Sequence, residues 1–260
     1  MIIDAHTHIY NEKMYQDYTA RLGSKDFKAI VMAWESVGNE QVLRFTETKG
    51  NLYFIGTVIM DKNIASQLKI LEKWFKAGKM RGIKLYPGYK YFYPSDKIVY
   101  PIARLCQKYN KPLIFHFGDV FDEKGNAILK YSNPSHVDEL AVKFPKCRII
   151  ISHFGFPYFL ETANVVSKNK NVYTDISGTI DECGNAWDMN NLVRQYAADL
   201  KRAFAYFPEA KKKTMFGTDF FGVDTPLNQV RPYLKIAKSV FTKKEQESLF
   251  FKLANKLFFS

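Results

Sequence analysis

Cysteine is scarce in this 260-residue chain: Cys106, Cys147 and Cys183 are widely spaced and form no C-x-x-C pair. That argues against a disulfide framework, and an odd count fits a reducing compartment. No apolar run approaches the roughly 18 residues that span a bilayer. The first apolar run has no basic stretch before it that would mark a cleaved leader. The expectation is a cytoplasmic protein with no membrane partner. A glycine-rich phosphate turn is missing, and so are linkers, low-complexity tracts and residue-level repeats. One domain over residues 1–260 is the economical reading.

What is present is ordinary globular composition, with 47% hydrophobic and 25% charged residues, which excludes disorder and collagen-like classes. The aromatic share is high, with 22 Phe and 16 Tyr. It fits a packed core with an aromatic-lined pocket, although core packing alone could account for it. The net charge is +12, but the one dense run is Lys211–Lys213 and the other basic residues are spread along the chain. Nucleic-acid binders usually concentrate such residues on one element. A solvated basic surface is therefore favoured, nucleic acid is disfavoured as a partner, and an anionic small molecule remains compatible.

Only five histidines occur, and two of them, His6 and His8, close the first apolar run, Met1-Ile-Ile-Asp-Ala-His-Thr-His8. In an extended chain residues i and i+2 point to one side, so the pair offers two imidazoles to a borderline metal such as zinc. His116 and His153 also end apolar runs. Eight short β-rich runs recur: 2–6, 29–33, 52–59, 82–86, 112–117, 147–153, 171–176 and 214–217. Helically spaced stretches lie between most of them, including 64–75, 98–109, 137–144 and 192–205. Strands alternating with helices imply parallel pairing, and eight units of this length predict an α/β fold of the (β/α)8 TIM-barrel type. Active sites in that fold lie at the C-terminal strand ends, where His6, His8, His116, His153 and Asp219 all fall. A single histidine at a strand end is more often structural than a ligand; five metal-competent residues on one rim reverse that weighting. His136, at a helix start, reads as a surface or capping residue.

These motifs resemble the amidohydrolase superfamily, and within it the amidohydrolase 2 branch that includes relatives of aminocarboxymuconate-semialdehyde decarboxylase. The resemblance runs through Ile3-Asp-Ala-His-Thr-His8, Arg81-Gly-Ile-Lys-Leu-Tyr-Pro87, Lys111-Pro-Leu-Ile-Phe-His116, Ile151-Ser-His-Phe-Gly155, Asn171-Val-Tyr-Thr-Asp-Ile-Ser177, Phe216-Gly-Thr-Asp219 and Asn255-Lys-Leu-Phe258. It implies a metal-dependent enzyme with a divalent ion held by His6, His8, His116 and Asp219, and with His153 beside it as an acid/base or substrate-polarising group. Asp219 would also move protons. Zinc comes first, with manganese or iron as alternatives. Lys84 matches a position that bridges two metals in binuclear members when carboxylated. The one-metal reading is preferred here, with Lys84 otherwise a substrate contact.

Around this set, Asp4 is expected to orient a neighbour or cap the first turn, and Asp175 to support a histidine or simply end a strand. Trp34, Glu35 and Tyr86 belong to the expected rim, and the aromatic stretch 86–93 either roofs a substrate pocket or packs on outer helices. Arg44, Arg194, Arg202 and Arg231 are candidate carboxylate anchors that the sequence does not rank. The leading function is hydrolysis of a small amide, lactone or ester; the alternative is non-oxidative decarboxylation of a small planar acid. A basic binding protein on a barrel scaffold is a third reading, and a homodimer is compatible with the sequence.

Overall fold

The computed structural model describes residues 1–120, 125–180, 188–222 and 229–260; Cys183 lies outside them. Eight strands appear in chain order: β1 Ile2–Thr7, β2 Phe27–Met32, β3 Leu52–Thr57, β4 Met80–Leu85, β5 Leu113–Phe115, β6 Ile149–Ile151, β7 Val172–Asp175 and β8 Thr214–Met215. Each pairs in parallel with the next, in the order β1 to β8. The barrel closes just beyond the two-residue β8: Ala5 N donates to Phe216 O at 2.9 Å, Asp219 N to His6 O at 2.8 Å and His8 N to Phe220 O at 2.7 Å. The expected (β/α)8 TIM barrel is therefore the observed architecture. Its strands read as almost unbroken apolar runs because both faces of a parallel sheet are covered.

Helices follow the strands: α1 Glu12–Leu22, α2 Asn39–Glu47, α3 Ile64–Lys76, α4 Tyr100–Lys108, α5 Val137–Lys143, α6 Phe159–Lys168, α7 Met189–Tyr206, α8 Pro208–Lys212, α9 Arg231–Val240, α10 Lys243–Glu247 and α11 Leu253–Phe259. The buried faces of α1 to α9 pack on the outer side of the sheet. Inside the barrel a second cluster gathers Ile3, Ala5, Ile30, Met32, Ile55, Ile114, Ile150 and Met215 with Leu253, Ala254, Leu257 and Phe258 of α11. The last helix thus seals one end of the barrel, and the other end is left to chemistry. The helix expected over 137–144 forms as α5, and a 3-10 turn leads into it. Asn133 caps a short 3-10 turn, Pro134–His136, by accepting from Ser135 N, and α5 follows with Asp138 and Glu139 in its first turn. His136 sits in that turn with its ring 4.4 Å from Tyr93.

One irregularity aims the site. Along β1 the pairing with β2 shifts between Asp4 and Thr7, so that three residues oppose two. Such a bulge reverses which face later residues take. Ile3 and Ala5 join the inner cluster, and Asp4 reaches Tyr18 of α1 outside the sheet. Beyond the bulge, His6 faces Lys84 across the interior.

Candidate active site

His6 and His8 leave the end of β1, Lys84 lies in β4, His116 follows β5, Ser152 and His153 follow β6, Asp175 ends β7 with Ser177 beyond it, and Asp219 follows β8. All meet at the C-terminal strand ends. His6 Nε2 and His8 Nε2 lie 3.2 and 3.1 Å from Asp219 Oδ1. That oxygen is buried and has no hydrogen-bond partner among the described residues. Two nitrogens and an oxygen that approach this closely without hydrogen-bond alignment converge on a shared point, as ligands of one cation do. His6, His153 and Asp219 also bring ligand atoms within 4.8 Å of one another.

The far nitrogens explain how the near ones stay free. His6 Nδ1 is 3.2 Å from Ser177 Oγ and 3.4 Å from Asp175 Oδ2. His8 Nδ1 is 2.5 Å from the Tyr10 hydroxyl and 3.1 Å from Met32 O. His153 Nδ1 is 3.0 Å from Ser177 Oγ, whose own O–H donates to Asp175 Oδ1. Each arrangement favours a proton on Nδ1 and a lone pair on Nε2. His116 does not reach Asp219 directly. Its Nε2 faces Asp119 O at 2.8 Å, and its Nδ1 meets His153 Nε2 at 3.1 Å. With the outer nitrogens protonated, these two inner ones face each other as lone pairs, an arrangement that a cation or proton between them completes.

Electrostatics point the same way. Burial, aided by the Lys84 cation, lowers His6 to about 4, and burial lowers His153 to about 3. His116 is held well below the ordinary histidine value by burial and by His153. Neutral imidazoles are the form a metal binds. Burial pushes Asp219 upward, but His6, His153 and His8 outweigh it and hold the carboxyl well below the usual range. Burial pulls Lys84 down to about 7 against Asp175 and Asp219. Its Nζ donates to Ser152 Oγ at 2.5 Å and lies 3.4 Å from His6 Nε2.

Backbone strain concentrates here. His153, Phe154 and Asp219 have φ of 62°, 45° and 60°, the left-handed region that non-glycine residues avoid. Gly178, at φ +67°, packs so tightly that a Cβ there would lie 2.2 Å from His153 Nδ1 and 2.9 Å from Asp219 Oδ2. Behind the site Asp4 accepts four hydrogen bonds, from His6 N, Thr218 N, the Thr218 hydroxyl and the Tyr18 hydroxyl, and ties β1 to the segment that carries Asp219. Asp175 likewise accepts from the backbone N–H of both His153 and Ser177.

The expected rim divides. Trp34 meets Tyr86 and Tyr89 edge-on at 4.5 and 5.2 Å, and both tyrosine rings flank His116 at 6.3 and 5.0 Å. These three aromatics, with Glu35, Asp61 and Lys90, line a cleft of about 450 Å3. Tyr91 and Tyr93 turn away to Tyr131, and Phe92 packs into the outer core. The four arginines lie elsewhere. Arg44 pairs with Glu40 on exposed α2, Arg194 bonds Asn191, Arg231 reaches Arg21 O and Arg202 sits on exposed α7. Sequence reasoning did not single out Ser152, Ser177, Tyr10 or Tyr18. The alternation that pairs His6 with His8 also pairs Asp175 with Ser177 and His8 with Tyr10, and that was the available signal.

No helix among the described residues is long and apolar enough to cross a membrane. Comparison with curated proteins finds no match. Among solved structures, the chain is similar to an uncharacterised TIM-barrel protein of Bordetella bronchiseptica (TM-score 0.71, 16% identity, 98% of this chain and 97% of that one). It is similar to a probable 2-pyrone-4,6-dicarboxylic acid hydrolase of Acinetobacter baumannii (TM-score 0.65, 16% identity, 99% and 98%). It is also similar to 5-carboxyvanillate decarboxylase of Sphingomonas paucimobilis (TM-score 0.64, 11% identity, 99% and 98%). At such identities the likeness concerns the fold. The family model described as amidohydrolase, of the amidohydrolase 2 branch, matches residues 3–259. With that match over nearly the whole chain, the protein belongs to the amidohydrolase family and is an enzyme of its metal-dependent type.

Proposed function

We propose that this chain, acting as a single catalytic domain, is a metal-dependent hydrolase that opens an amide, lactone or ester bond of a small molecule. The observation that carries the reading is the orphaned Asp219 Oδ1 facing two imidazole nitrogens. His6, His8, His116 and Asp219 would hold one divalent ion, zinc first with manganese or iron as alternatives, since imidazoles with a carboxylate are a usual zinc ligand set, with His153 beside them. When bound, the ion supplies Lewis acidity and a water acidified toward neutrality.

The chain's own residues do the rest. Asp219, held ionised, accepts the proton of the attacking water and returns it to the leaving group. His153 lies beside that carboxylate and, once its Nε2 carries a proton, can donate a hydrogen bond to an oxygen on which charge builds. The Lys84 amine donates to Ser152, which supports a substrate contact or a structural role over a metal bridge. Trp34, Tyr86 and Tyr89 offer an aromatic slot whose two tyrosine rings flank His116, lined also by Glu35 and Lys90.

That slot favours a second reading, decarboxylation of a planar acid, with His153 assisting protonation of the carbon. A lactone and amide panel run against release of CO2 from planar acids separates the two. Metal content measured on the wild type and on a His6→Ala/His8→Ala variant tests what they share. About one zinc or manganese per chain, lost in the variant, is expected. No metal in either protein after reconstitution would sink both readings.

A further inference from the structure

We infer that Tyr10, two residues past the histidine pair, is a positioning residue that fixes the proton of His8 on Nδ1 and keeps Nε2 free for a cation. The inference rests on the metal-site reading above. Tyr10 is buried, and its hydroxyl, His8 Nδ1 and Met32 O form a triangle with edges of 2.5, 2.8 and 3.1 Å. Only two of these atoms can carry a proton, and the carbonyl can only accept.

If Tyr10 donates to Met32 O, its oxygen lone pairs face Nδ1, and the contact is favourable only when Nδ1 bears hydrogen. That N–H then has two acceptors, the phenol at 2.5 Å and the carbonyl at 3.1 Å. The opposite tautomer turns the phenol onto Nδ1 and takes both donors of the triangle from Met32 O. It also puts hydrogen on Nε2, where Asp219 Oδ1 is close but not aligned to accept. The first arrangement completes every partner; the second leaves Met32 O without either donor of the triangle.

Packing holds the phenol in place. The Tyr10 ring meets His8 edge-on at 5.8 Å and Phe221 at the same distance and 85°. His6 solves the same problem with different chemistry, using Ser177 and the carboxylate of Asp175. The two ligands of one strand therefore have separate keepers, one charged and one neutral. Losing the phenol should affect His8 alone.

The test uses zinc as the probe and two variants of the full chain. Tyr10→Phe removes the hydroxyl on Met32 O. Tyr196→Phe removes another buried one outside the substrate cleft, donated at 3.2 Å to Ile176 O. In competition with a chromophoric chelator, Tyr10→Phe should weaken zinc binding about 10-fold or more, the effect usual for a group that orients a ligand, and Tyr196→Phe should stay within about threefold. Imidazole 15N spectra of the metal-free wild type should show His8 protonated at Nδ1, and those of Tyr10→Phe a mixture of tautomers. Equal zinc affinity in the two variants, or a wild-type His8 protonated at Nε2, overturns the inference. Should Tyr10→Phe not fold, the wild-type spectrum still decides. Should the wild type take up no zinc, the metal reading fails while the tautomer still tests Tyr10.

Discussion

The two ends of the barrel are built from the same eight strands and obey opposite rules. At the closed end, α11 lays Leu253, Ala254, Leu257 and Phe258 over inward aliphatics such as Ile30, Ile55 and Ile114. Lys28 and Arg81 flatten over the Phe259 ring at 4.3 and 5.4 Å, and Arg148 donates to the carbonyls of Lys256 and Leu257. The apolar groups there pack on one another, and the basic heads of Lys28, Arg81 and Arg148 rest on rings or carbonyls. At the open end, by contrast, the chain buries imidazoles, carboxylates and an amine, and leaves Asp219 Oδ1 without a hydrogen-bond partner among the described residues. It also forces three non-glycine residues into left-handed φ. One end stores stability, and the other spends some of it on preorganised chemistry.

The comparison is broken most strongly at the closed end. Phe258 is fully buried in the inner cluster. Phe258→Ala should cost roughly 3–5 kcal/mol in denaturant unfolding, the range for emptying a buried phenyl site. Zinc affinity of the folded fraction should be unchanged. A large affinity loss would mean that the two ends are coupled and that the division of labour drawn here is wrong.

At the open end stability and function should fall together. Asp219→Asn keeps the shape, removes a buried charge, and places a residue more tolerant of φ 60° where Asp219 now sits. Zinc affinity should fall by at least about 100-fold, more than loss of an orienting partner costs. The metal-free protein should also lose stability at neutral pH, because a carboxyl held below its ordinary pKa is favoured by the fold in its ionised form. A metal-free variant as stable as the wild type would show that backbone strain at Asp219 cancels that contribution. Gly178→Ala should lower both quantities. The added methyl meets His153 Nδ1 at 2.2 Å, and left-handed φ costs an alanine about 1–2 kcal/mol. Unfolding and zinc titrations on the same sample check the pair.

How far each end was legible in the sequence follows from the same physics. The eight strands were readable because a doubly covered strand must be apolar throughout. The later ones end sooner than their apolar runs: β6 stops at Ile151, and His153 and Phe154 turn left-handed just beyond it. The rim histidines were readable because imidazoles are rare in this chain and cluster at strand ends. The bulge in β1 was not readable. Nothing in Asp4-Ala-His-Thr7 announces that one extra residue reverses the facing, so Asp4 and His6 look as though they share a side. Ser152, Ser177 and Tyr10 escaped for another reason. Serine and tyrosine are common, and their roles exist only through partners at distant positions, such as Lys84, His6 and Met32.

The smallest expected effect sharpens the contrast between two buried-side lysines. Lys84, at the open end, is fully buried with an amine that donates to Ser152. Lys28, at the closed end, is half-buried and meets only ring faces, Phe259 at 4.3 Å and Tyr53 at 5.6 Å. Cation–π contact at such a site is worth about 0.5–1 kcal/mol. Lys28→Met keeps the apolar stem and removes the charge, so unfolding free energy should drop by no more than about 1 kcal/mol. Turnover and zinc affinity should be untouched. High salt should leave the difference nearly intact, because a face-on ring contact that is partly desolvated is poorly screened. A loss well above that ceiling would mean that the lysine head, and not the aliphatic plug of α11, seals the barrel.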